Sequence, residues 1–369
     1  MKPFSTLRFL PLALAALAFA GCDLIDSGDD NAPGAGDTTG VSGLTSDWVG
    51  KHRDSLTLAQ SIAFRDGRLY VTHRHATAPG TAVVDTATGN IVEYYPHLLK
   101  PSDMAFTADG HLVVGEGSWG QPGAISIINP ATKRIRQSVI NLDQDNGIAS
   151  DEGRVYLIDR TTGVVTGFAG NTPGLNITLD AQTGANSNPY GIAVSGGKAY
   201  IPRYNLSSLL ILSDVNALGG GARDSINLSA YAHDSGAGIP RMALVAAHGG
   251  YVFVALQRYN ASYSAQDSGL VVVINAATKA IDKTITLPFK NPNAAVVKDG
   301  AWYIAALGNY GAQDGGVVKI DLAARTLAGT VVTEAALGGD VGGVAITGAN
   351  SGYATYSTDF FVTTRVKKF

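Results

Sequence analysis

The stretch Asn293-Ala-Ala-Val-Val-Lys-Asp-Gly-Ala-Trp-Tyr-Ile304 contains the pattern that decides the fold. Two short apolar runs flank the polar turn Lys298-Asp299-Gly300, which is typical of antiparallel strands joined by a hairpin. In other parts of the chain such a pair is followed by a third apolar run, as at residues 273–275, and by a fourth, as at residues 281–285. The sequence unit is therefore predicted to contain four short strands.

This unit recurs along the whole chain. Its first strand begins near residues 61, 103, 147, 191, 241, 293 and 343, so the repeats are spaced roughly 42 to 52 residues apart. Four strands in a repeat of this length are typical of a β-propeller blade, and the lack of a 3.6-residue apolar period disfavours a helical solenoid. The sequence predicts an all-β protein in which residues 47–369 form a seven-bladed β-propeller with four-stranded blades.

The last repeat lacks a clear fourth strand before Phe369. Residues 55–58, Ser-Leu-Thr-Leu, have the same character as the fourth strand of other repeats, such as residues 284–287. We therefore expect this N-terminal strand to complete the last blade and close the ring, which also removes two exposed sheet edges.

The composition excludes several classes of protein. The chain has 369 residues, of which 45% are hydrophobic and 15% are charged, and its formal net charge is −3. This hydrophobic content excludes wholesale disorder, and no internal apolar run approaches the ~20 residues needed to span a bilayer. Because the net charge is negative, a nucleic-acid partner held by bulk positive charge is disfavoured. The single cysteine, Cys22, cannot form an internal disulfide.

The N-terminus resembles a bacterial lipoprotein signal. Positive charge precedes an apolar run at residues 9–20, which ends in Phe19-Ala-Gly-Cys22. The resemblance implies that residues 1–21 are a signal peptide and that Cys22 is lipidated. It also implies that the protein is anchored by lipid in the bacterial cell envelope and faces the periplasm or the cell exterior. The alternative is an ordinary secretory peptide with a chance cysteine nearby.

Residues 22–46 separate this signal from the repeats. Beyond Cys22 they contain five Asp and no Lys or Arg, among many Gly, Ala, Ser and Thr residues. A segment of this kind has too little apolar surface to form a core of its own, so we predict a flexible acidic tether between the lipidated cysteine and the propeller.

The second strands of the repeats carry a further resemblance. They contain tyrosine followed by apolar residues, as in Tyr70-Val71-Thr72, Tyr156-Leu157-Ile158, Tyr200-Ile201 and Tyr303-Ile304. With the Val-Ile-Asp-like strand and the Thr-Gly or Thr-Lys turn that follow, residues 48–369 resemble the bacterial YVTN-type repeat propellers. The closing Asn of that repeat is replaced here by His73, Asp159 and Arg203. The family includes lactonases, dehydrogenase subunits and binding proteins, so the resemblance implies a fold and leaves these functions open.

Propeller geometry sorts the loops onto two faces. The loops from the second to the third strand, and from the fourth strand to the next blade, lie on one face around the channel mouth. On the opposite face the loops are short turns rich in Gly, Asp and Thr, which indicates a structural role. The first face carries the longer loops with most of the polar and aromatic candidates, so we predict that it holds the binding site.

The candidate ligand-binding residues are His73, Arg74, Glu116, Trp119, Arg160, Arg203, Tyr204, Asn205, Arg258, Tyr259, Asn260, Asn309 and Tyr310. The triplet Arg-Tyr-Asn is predicted at the same place in blades four and five. Arginine offers a fork of N–H donors for carboxylate or phosphate, and tyrosine offers a stacking face with a polar tip. We expect binding of an envelope protein or an anionic small ligand, without catalysis. The alternative is that these residues pack blade against blade.

A metal-dependent enzyme of the lactonase or lyase type is the second hypothesis. Its nearest candidate residues are Glu116, Asp103, Asn146 and Asn293. His73 and His75 would share one face of a strand and could act as metal ligands. The first hypothesis needs no cofactor, whereas the second needs a divalent metal. The sequence contains no phosphate-binding Gly-rich loop, no serine nucleophile elbow and no His-Glu-x-x-His motif.

Overall fold

The computed structural model of the protein describes residues 37–39, 41–42, 58–75, 78–117, 121–142, 147–151, 153–169, 176–216 and 221–369. The predicted signal peptide, the lipidation site Cys22 and most of the tether lie outside these residues. Within the described ranges no helix has the length and apolar character needed to cross a membrane. The helix α1 (Glu334–Leu337) has four residues, and a 3-10 turn covers Ser229–Tyr231.

The first strands of the described chain are short, and blades one to three follow them. The short strands are β1 (Asp37–Thr39) and β2 (Val41–Ser42). Blade one consists of β3 (Ala59–Arg65), β4 (Arg68–His73), β5 (Gly80–Asp85) and β6 (Ile91–Pro96). Blade two consists of β7 (Pro101–Phe106), β8 (Leu112–Glu116), β9 (Gly123–Asn129) and β10 (Arg134–Leu142). Blade three consists of β11 (Gly147–Asp151), β12 (Arg154–Asp159), β13 (Val164–Ala169) and β14 (Asn176–Gln182).

Blades four to seven complete the ring. Blade four consists of β15 (Ala193–Ser195), β16 (Lys198–Ile201), β17 (Ser208–Leu212) and β18 (Arg223–Asn227). Blade five consists of β19 (Met242–His248), β20 (Tyr251–Leu256), β21 (Leu270–Asn275) and β22 (Ile281–Thr286). Blade six consists of β23 (Pro292–Lys298), β24 (Ala301–Ala306), β25 (Gly316–Asp321) and β26 (Thr326–Thr333). Blade seven consists of β27 (Asp340–Gly348), β28 (Ser351–Ser357) and β29 (Thr364–Lys368).

Each blade is an antiparallel sheet in which consecutive strands are hydrogen-bonded neighbours. The first strand of every blade lies at the centre of the ring: β3, β7, β11, β15, β19, β23 and β27 contact one another in this order, and β27 contacts β3. The predicted seven-bladed β-propeller is therefore confirmed. The short strands β1 and β2 pair with the outer strands β10 and β6 and extend blades two and one.

Side chains alternate between the two faces of a blade, as the two-residue period of a strand requires. In β20, Val252, Val254 and Leu256 pack into an apolar core shared with blade four. Phe253 and Ala255, which point the other way, pack into the core shared with blade six. Seven cores of this kind join neighbouring blades. A slip of one residue in register would exchange the two sets of side chains, so the cores fix the register.

The repeated tyrosine faces the following blade. The residues at this position pair with an alanine or valine of the inner strand and lie in the core shared with the next blade; they are Tyr70, Tyr156, Tyr200, Phe253, Tyr303 and Tyr353. The hydroxyl of Tyr200 donates to the carbonyl of Ala276 at 3.2 Å, and that of Tyr303 donates to the carbonyl of Ala349 at 3.0 Å. Both carbonyls belong to turns of the following blade. The aromatic ring is therefore buried in the core while its hydroxyl still has a hydrogen-bond acceptor.

The core between blades seven and one closes the ring. Leu69 of blade one and Tyr353 of blade seven belong to the same buried cluster. Blade seven has three strands in the described part of the chain, and Leu58 forms one bridge with Thr364 at the start of β29. The predicted closing strand includes residues 55–57, which lie outside the described residues, so its role stays a prediction.

Candidate functional site

The two faces of the propeller are built differently. We call the face with the loops between strands one and two, and between strands three and four, the turn face. There, Asp85 Oδ1 accepts hydrogen bonds from the N–H groups of Ala87 and Thr88 at 2.9 and 3.0 Å, and Asn129 and Asn275 cap equivalent turns. We call the opposite face the loop-rich face. Its longer loops surround one end of the central channel.

A cavity of about 620 Å³, the mouth pocket, opens on the loop-rich face. Arg160, Tyr190 and Asn293 line both this pocket and the channel of about 710 Å³ between the inner strands, so the two cavities meet at these side chains. Most of the side chains that line the mouth pocket carry a phenol or an amide group. The tyrosines of the pocket are Tyr190, Tyr204, Tyr259, Tyr263 and Tyr310, and its amides are Gln257, Gln266, Asn291, Asn293 and Asn309.

A series of stacked groups, the Arg–Tyr ladder, joins the loops of blades three, four and five. The guanidinium carbon of Arg160 lies 4.2 Å from the centroid of the Tyr190 ring, and this ring stacks on Tyr204 at 4.7 Å. The guanidinium carbon of Arg241 lies 5.4 Å from the Tyr204 ring and 4.4 Å from the Tyr263 ring. Because the face of an aromatic ring attracts a cation, these contacts hold the loops together.

Hydrogen bonds fix the base of the ladder. The Tyr204 hydroxyl donates to Gln257 Oε1 at 2.7 Å, and Gln257 Nε2 donates to the carbonyl of Pro292 at 3.0 Å. Gln266 Nε2 donates to the carbonyl of Gln257 at 2.9 Å. Burial raises the pKa of Tyr204, and burial together with the nearby Tyr310 raises the pKa of Tyr259 to about 12. Both phenols therefore keep their protons at neutral pH and can donate hydrogen bonds.

Blades six and seven add a second group of aromatic side chains. Tyr310 stacks on Phe360 with ring centroids 5.7 Å apart, and it meets the edge of Phe361 at 6.4 Å. Phe360 is 70% exposed. Phe360 and Phe361 have φ values of 56° and 61°, a region that bulky side chains rarely adopt. The loop therefore stores backbone strain while it presents an aromatic ring to solvent.

The two Arg-Tyr-Asn triplets do not occupy equivalent positions, so this prediction is wrong. Strand register and main-chain hydrogen bonds make Tyr204 equivalent to Gln257 rather than to Tyr259. The N–H of Tyr204 donates to the carbonyl of Asn188 at 3.0 Å, and the N–H of Gln257 donates to the carbonyl of Arg241 at 2.9 Å. The second triplet consequently lies two residues farther along its loop than the first.

Arg203 and Arg258 are held by the protein itself. The Arg203 guanidinium donates to the carbonyl of Ser208 at 2.9 Å and to a second main-chain carbonyl at 3.1 Å. The Arg258 guanidinium donates to the carbonyl of Tyr231 at 3.0 Å and forms an ion pair with Asp267 at 2.9 Å. Neither arginine is among the described residues that line the mouth pocket. Their contacts match the alternative in which these residues hold the loops together.

The structure brings some of the other predicted residues together at the mouth pocket. The predicted residues that line it are Arg160, Tyr204, Tyr259, Asn309 and Tyr310. Asn205 lies beside them, and its Oδ1 accepts a hydrogen bond from Arg241 Nη1 at 3.1 Å. Asn260 Oδ1 accepts a hydrogen bond from the N–H of Ser264 at 2.9 Å and so fixes its own loop. Trp119 lies outside the described residues.

His73, Arg74 and Glu116 belong to blades one and two and are not part of the described pocket lining. His73 is buried, and its ring lies 5.4 Å from the ring of Tyr94. Arg74 Nε donates to the carbonyl of Pro101 at 3.0 Å. This bond links the loop after β4 to the first strand of blade two, which is a structural contact between neighbouring blades.

Glu116 lies in a buried polar network. His97 Nδ1 lies 2.8 Å from Glu116 Oε1, and the N–H of Leu99 donates to Oε2 at 2.9 Å. The Ser126 hydroxyl also donates to Oε1, and His97 Nε2 lies 2.8 Å from Thr81 Oγ1. Burial raises the pKa of Glu116, but the interaction with His97 and the hydrogen bonds from Ser126 and the N–H of Leu99 together outweigh this effect and hold the pKa below its usual value. Both carboxylate oxygens are thus engaged inside the protein.

The described residues contain no group of three His, Cys, Asp or Glu side chains that could hold a metal ion. Asp103 and Asn293 line the channel. Asp103 accepts hydrogen bonds from the Ser61 hydroxyl at 3.1 Å and from the N–H of Ile148 at 3.2 Å, so it links three consecutive blades. Asn146 lies outside the described residues, and a divalent metal stays an untested part of the second hypothesis.

Sequence reasoning missed Tyr190 and Gln257, which line the mouth pocket, and Arg241, which contacts the pocket residues Tyr204 and Tyr263. The repeat pattern assigns Tyr190 and Arg241 to the start of inner strands. They therefore look like part of the apolar strand pattern and not like loop residues. In the structure the residues just before an inner strand lie at the rim of the channel. An alignment of the repeats over the few residues before each inner strand would have shown both side chains as candidates, although they are not equivalent, since Arg241 aligns with Asn188.

Comparison with known proteins identifies the fold. No protein-family model and no curated protein sequence matches the chain. Kuenenia stuttgartiensis hydrazine synthase is similar with a TM-score of 0.59 and 14% identity, over 85% of this chain and 96% of that chain. U3-55K gives a TM-score of 0.57 and 10% identity over 84% and 95%. The WD40 β-propeller domain of Doa1 gives 0.55 and 8% over 84% and 92%. At such identities the likeness shows a shared fold and carries no activity with it.

Replacement of Arg203 or Arg258 by alanine is expected to destabilise the protein, because main-chain carbonyls lose their donors. A hydrogen bond from a charged group contributes about 1.5–3 kcal/mol, so each variant should lose roughly this free energy of unfolding, measured by urea denaturation. The matched control is Arg154→Ala on the turn face, where an exposed arginine bonds to Asn216. Its change should stay below about 0.5 kcal/mol. Unchanged stability of the Arg203 and Arg258 variants would contradict the structural role.

Glu334, at the start of α1, fixes the loop between β24 and β25 that forms part of the mouth pocket. Its Oε2 accepts a hydrogen bond from the N–H of Gly315 at 2.8 Å, and its Oε1 accepts one from the N–H of Val341 at 2.7 Å. Burial, with the negative charges of Asp340 and Asp314, raises the pKa of Glu334 to about 7. A buried carboxyl therefore titrates near neutral pH beside the pocket.

The Glu334 carboxyl is expected to lower the free energy of unfolding as the pH rises from about 4.5 to about 7. In this window the folded chain keeps a proton that the unfolded chain has lost, so stability falls with pH. Glu334→Gln removes this titration, and its stability should fall less steeply over the same range in urea denaturation. Other carboxyls titrate in both the wild type and the variant. The measurement is therefore the difference between the two proteins in the slope of the free energy of unfolding against pH. Parallel slopes would mean that Glu334 is ionised throughout.

Proposed function

We propose that this protein is a non-catalytic binding module that captures its partner with the loop-rich face. The observation that carries the proposal is the distribution of exposed apolar side chains. Eight large hydrophobic side chains of the described residues are exposed, and six of them lie in loops of this face. These six are Leu98, Leu99, Tyr263, Tyr310, Phe360 and Val362.

Exposed apolar side chains that cluster on one face are typical of interaction surfaces. Tyr263, Tyr310 and Phe360 are aromatic, and aromatic side chains contribute most often to binding hot spots. They lie around the mouth pocket or stack on a residue that lines it. Positive φ values at Tyr263 and Phe360 support the proposal, because backbone strain collects at functional sites. An envelope protein or an anionic small ligand would each fit such a face.

The partner can be captured by photocrosslinking in the native host. We would introduce p-benzoylphenylalanine at Tyr263 or Phe360, and at Leu327 of the outer strand β26 as a matched control. Benzophenone reacts with C–H bonds of proteins and glycans within a few ångströms, so a discrete adduct is expected from the first two positions only. Equal labelling at Leu327, or no adduct from the loop-rich face at saturating light, would contradict the proposal.

The lipid anchor is the second part of the proposed function. Its support comes from the sequence, since the apolar run at residues 9–20 ends in small residues before Cys22. A lipidated Cys22 would hold the propeller at a membrane of the bacterial cell envelope through a flexible tether, facing the periplasm or the exterior.

Replacement of Cys22 by serine should move the protein from the membrane fraction to the soluble fraction, because the thiol that accepts the lipid is lost. The measurement is an immunoblot of both fractions after carbonate washing, with the wild-type protein as the control. Continued membrane association of the serine variant would show that another feature of the protein holds it there.

A further inference from the structure

Two arginines lie in or directly behind the wall of the mouth pocket. Arg160 lines the pocket, and Arg241 contacts the pocket side chains Tyr204 and Tyr263. Arg160 and Arg241 form no ion pair with a described residue, whereas Arg68, Arg258 and Arg325 each pair with an aspartate. The Nε atoms of Arg160 and Arg241 are buried and lack a hydrogen-bond acceptor. Arg241 is only 6% exposed, and its hydrogen bond goes to a neutral amide oxygen. Burial of an unpaired cation is costly, so an acceptor from outside the chain would stabilise Arg241. Arg160 is partly buried and its charge acts on the carboxyl of Asp103 in the channel, but its Nε atom still lacks an acceptor.

Arg241 also carries backbone strain. Its φ is 60°, and the equivalent residues of blades four and six, Asn188 and Asn291, have φ values of 48° and 56°. Asparagine tolerates this left-handed region better than other side chains that carry a Cβ. An arginine at this position thus combines a strained main chain with a buried unpaired charge. Such a combination points to a function that needs the guanidinium.

The Arg–Tyr ladder places the two cations near each other. The spacings from Arg160 to Tyr190, from Tyr190 to Tyr204 and from Tyr204 to Arg241 are 4.2, 4.7 and 5.4 Å, so the guanidinium carbons are at most about 14 Å apart. A guanidinium that stacks on a ring keeps its N–H edge available for a carboxylate. Arg160 lies where the mouth pocket meets the channel, so an anion bound to it would lie at the inner end of the pocket.

The rest of the mouth pocket suits hydroxyl groups better than apolar groups. Its described lining has five tyrosines and five amide side chains, with Ala265 as its aliphatic residue and no Asp or Glu. Phenol and amide groups offer both donors and acceptors, and each hydroxyl of a sugar needs both. The tyrosine rings also offer flat faces for the C–H side of a sugar ring.

We propose that the mouth pocket binds an acidic sugar, a polyhydroxylated ring that carries a carboxylate. The carboxylate binds Arg160 and, in an oligosaccharide, a second carboxylate binds Arg241. The hydroxyls donate to the amide oxygens of Gln266 and Asn309, whose NH2 groups already bond to Gln257 and Asp314. Asn291 lines the same pocket and offers a third amide. The inference rests on the proposed function and names the chemistry of the partner: a glycan or free oligosaccharide that contains uronic acid.

Calorimetric titration of the wild-type protein tests the required chemistry without any mutation. The probes are trigalacturonate, the neutral galactotriose, and tricarballylate, which has three carboxylates but no ring. Trigalacturonate should bind at least tenfold more tightly than either of the others, because only it offers both the charge and the hydroxyls. Equal affinity for galactotriose would overturn the role of the arginines, and equal affinity for tricarballylate would overturn the role of the sugar ring.

Arg241→Asn is the sharpest variant, since it introduces the residue found at the equivalent positions. We expect its melting temperature to stay close to that of the wild type, because relief of backbone strain and of a buried charge offsets the lost contacts with Tyr204 and Tyr263. Its affinity for trigalacturonate should fall at least tenfold. Arg160→Gln should lose as much affinity, and Arg160→Lys should lose less because the charge remains. Arg154→Gln on the turn face is the control and should bind normally. Full affinity in both Arg241→Asn and Arg160→Gln would overturn the inference.

The outcomes of the two proposals can be distinguished. If none of the sugars binds but photocrosslinking gives an adduct at Tyr263 or Phe360, the acidic-sugar inference is wrong and the binding function of the loop-rich face stands. If trigalacturonate binds and the arginine variants lose affinity, but no adduct forms in the host, the pocket chemistry stands and the proposed capture of a partner by this face in the cell is wrong.

Discussion

The structure depends on the burial of both faces of every blade. A single four-stranded sheet with apolar side chains on two faces cannot shield them alone, so each blade needs a neighbour on either side. In β24, for example, Trp302 and Ile304 pack toward blade five while Tyr303 and Ala305 pack toward blade seven. Only a closed ring satisfies this requirement for all blades. The core that contains Leu69 and Tyr353 is where the two ends of the ring meet.

The same constraint explains why polar chemistry collects at the ends of the channel. The flanks of each blade are occupied by its neighbours, so the inner strands, the loops and the exposed outer strands are the surfaces that can vary. Asp103 is a polar residue of an inner strand with a structural role. Its carboxylate links Ser61 of blade one to the N–H of Ile148 in blade three. The loop-rich face can change without loss of the seven cores, which is the usual relation between a rigid scaffold and its binding loops.

The sequence predicted the repeats, the blade number and the face with the long loops, because these follow from strand period and spacing. It could not predict which arginines would form no ion pair. Arg258 finds Asp267 nine residues later through a loop that contains positive-φ residues, and a loop path of this kind leaves no periodic signal. The two Arg-Tyr-Asn triplets look identical in sequence but differ by two residues in register. Their roles therefore depend on where each β-strand ends, which is the least regular part of a repeat.

Strain in the loops is tolerable because the ring beneath them is so fully packed. A non-glycine residue in the left-handed region costs on the order of 1–3 kcal/mol. Arg241, Tyr263 and Phe360 all lie in this region on the loop-rich face. Each of these loops begins and ends in a packed strand, as for Tyr263 between β20 and β21 and Phe360 between β28 and β29, so the strands limit how far the loop can relax. The packed ring thus stabilises loop residues in strained backbone conformations. In the proposed sugar site, the strained conformation of Arg241 places its unpaired guanidinium where it can bind a carboxylate.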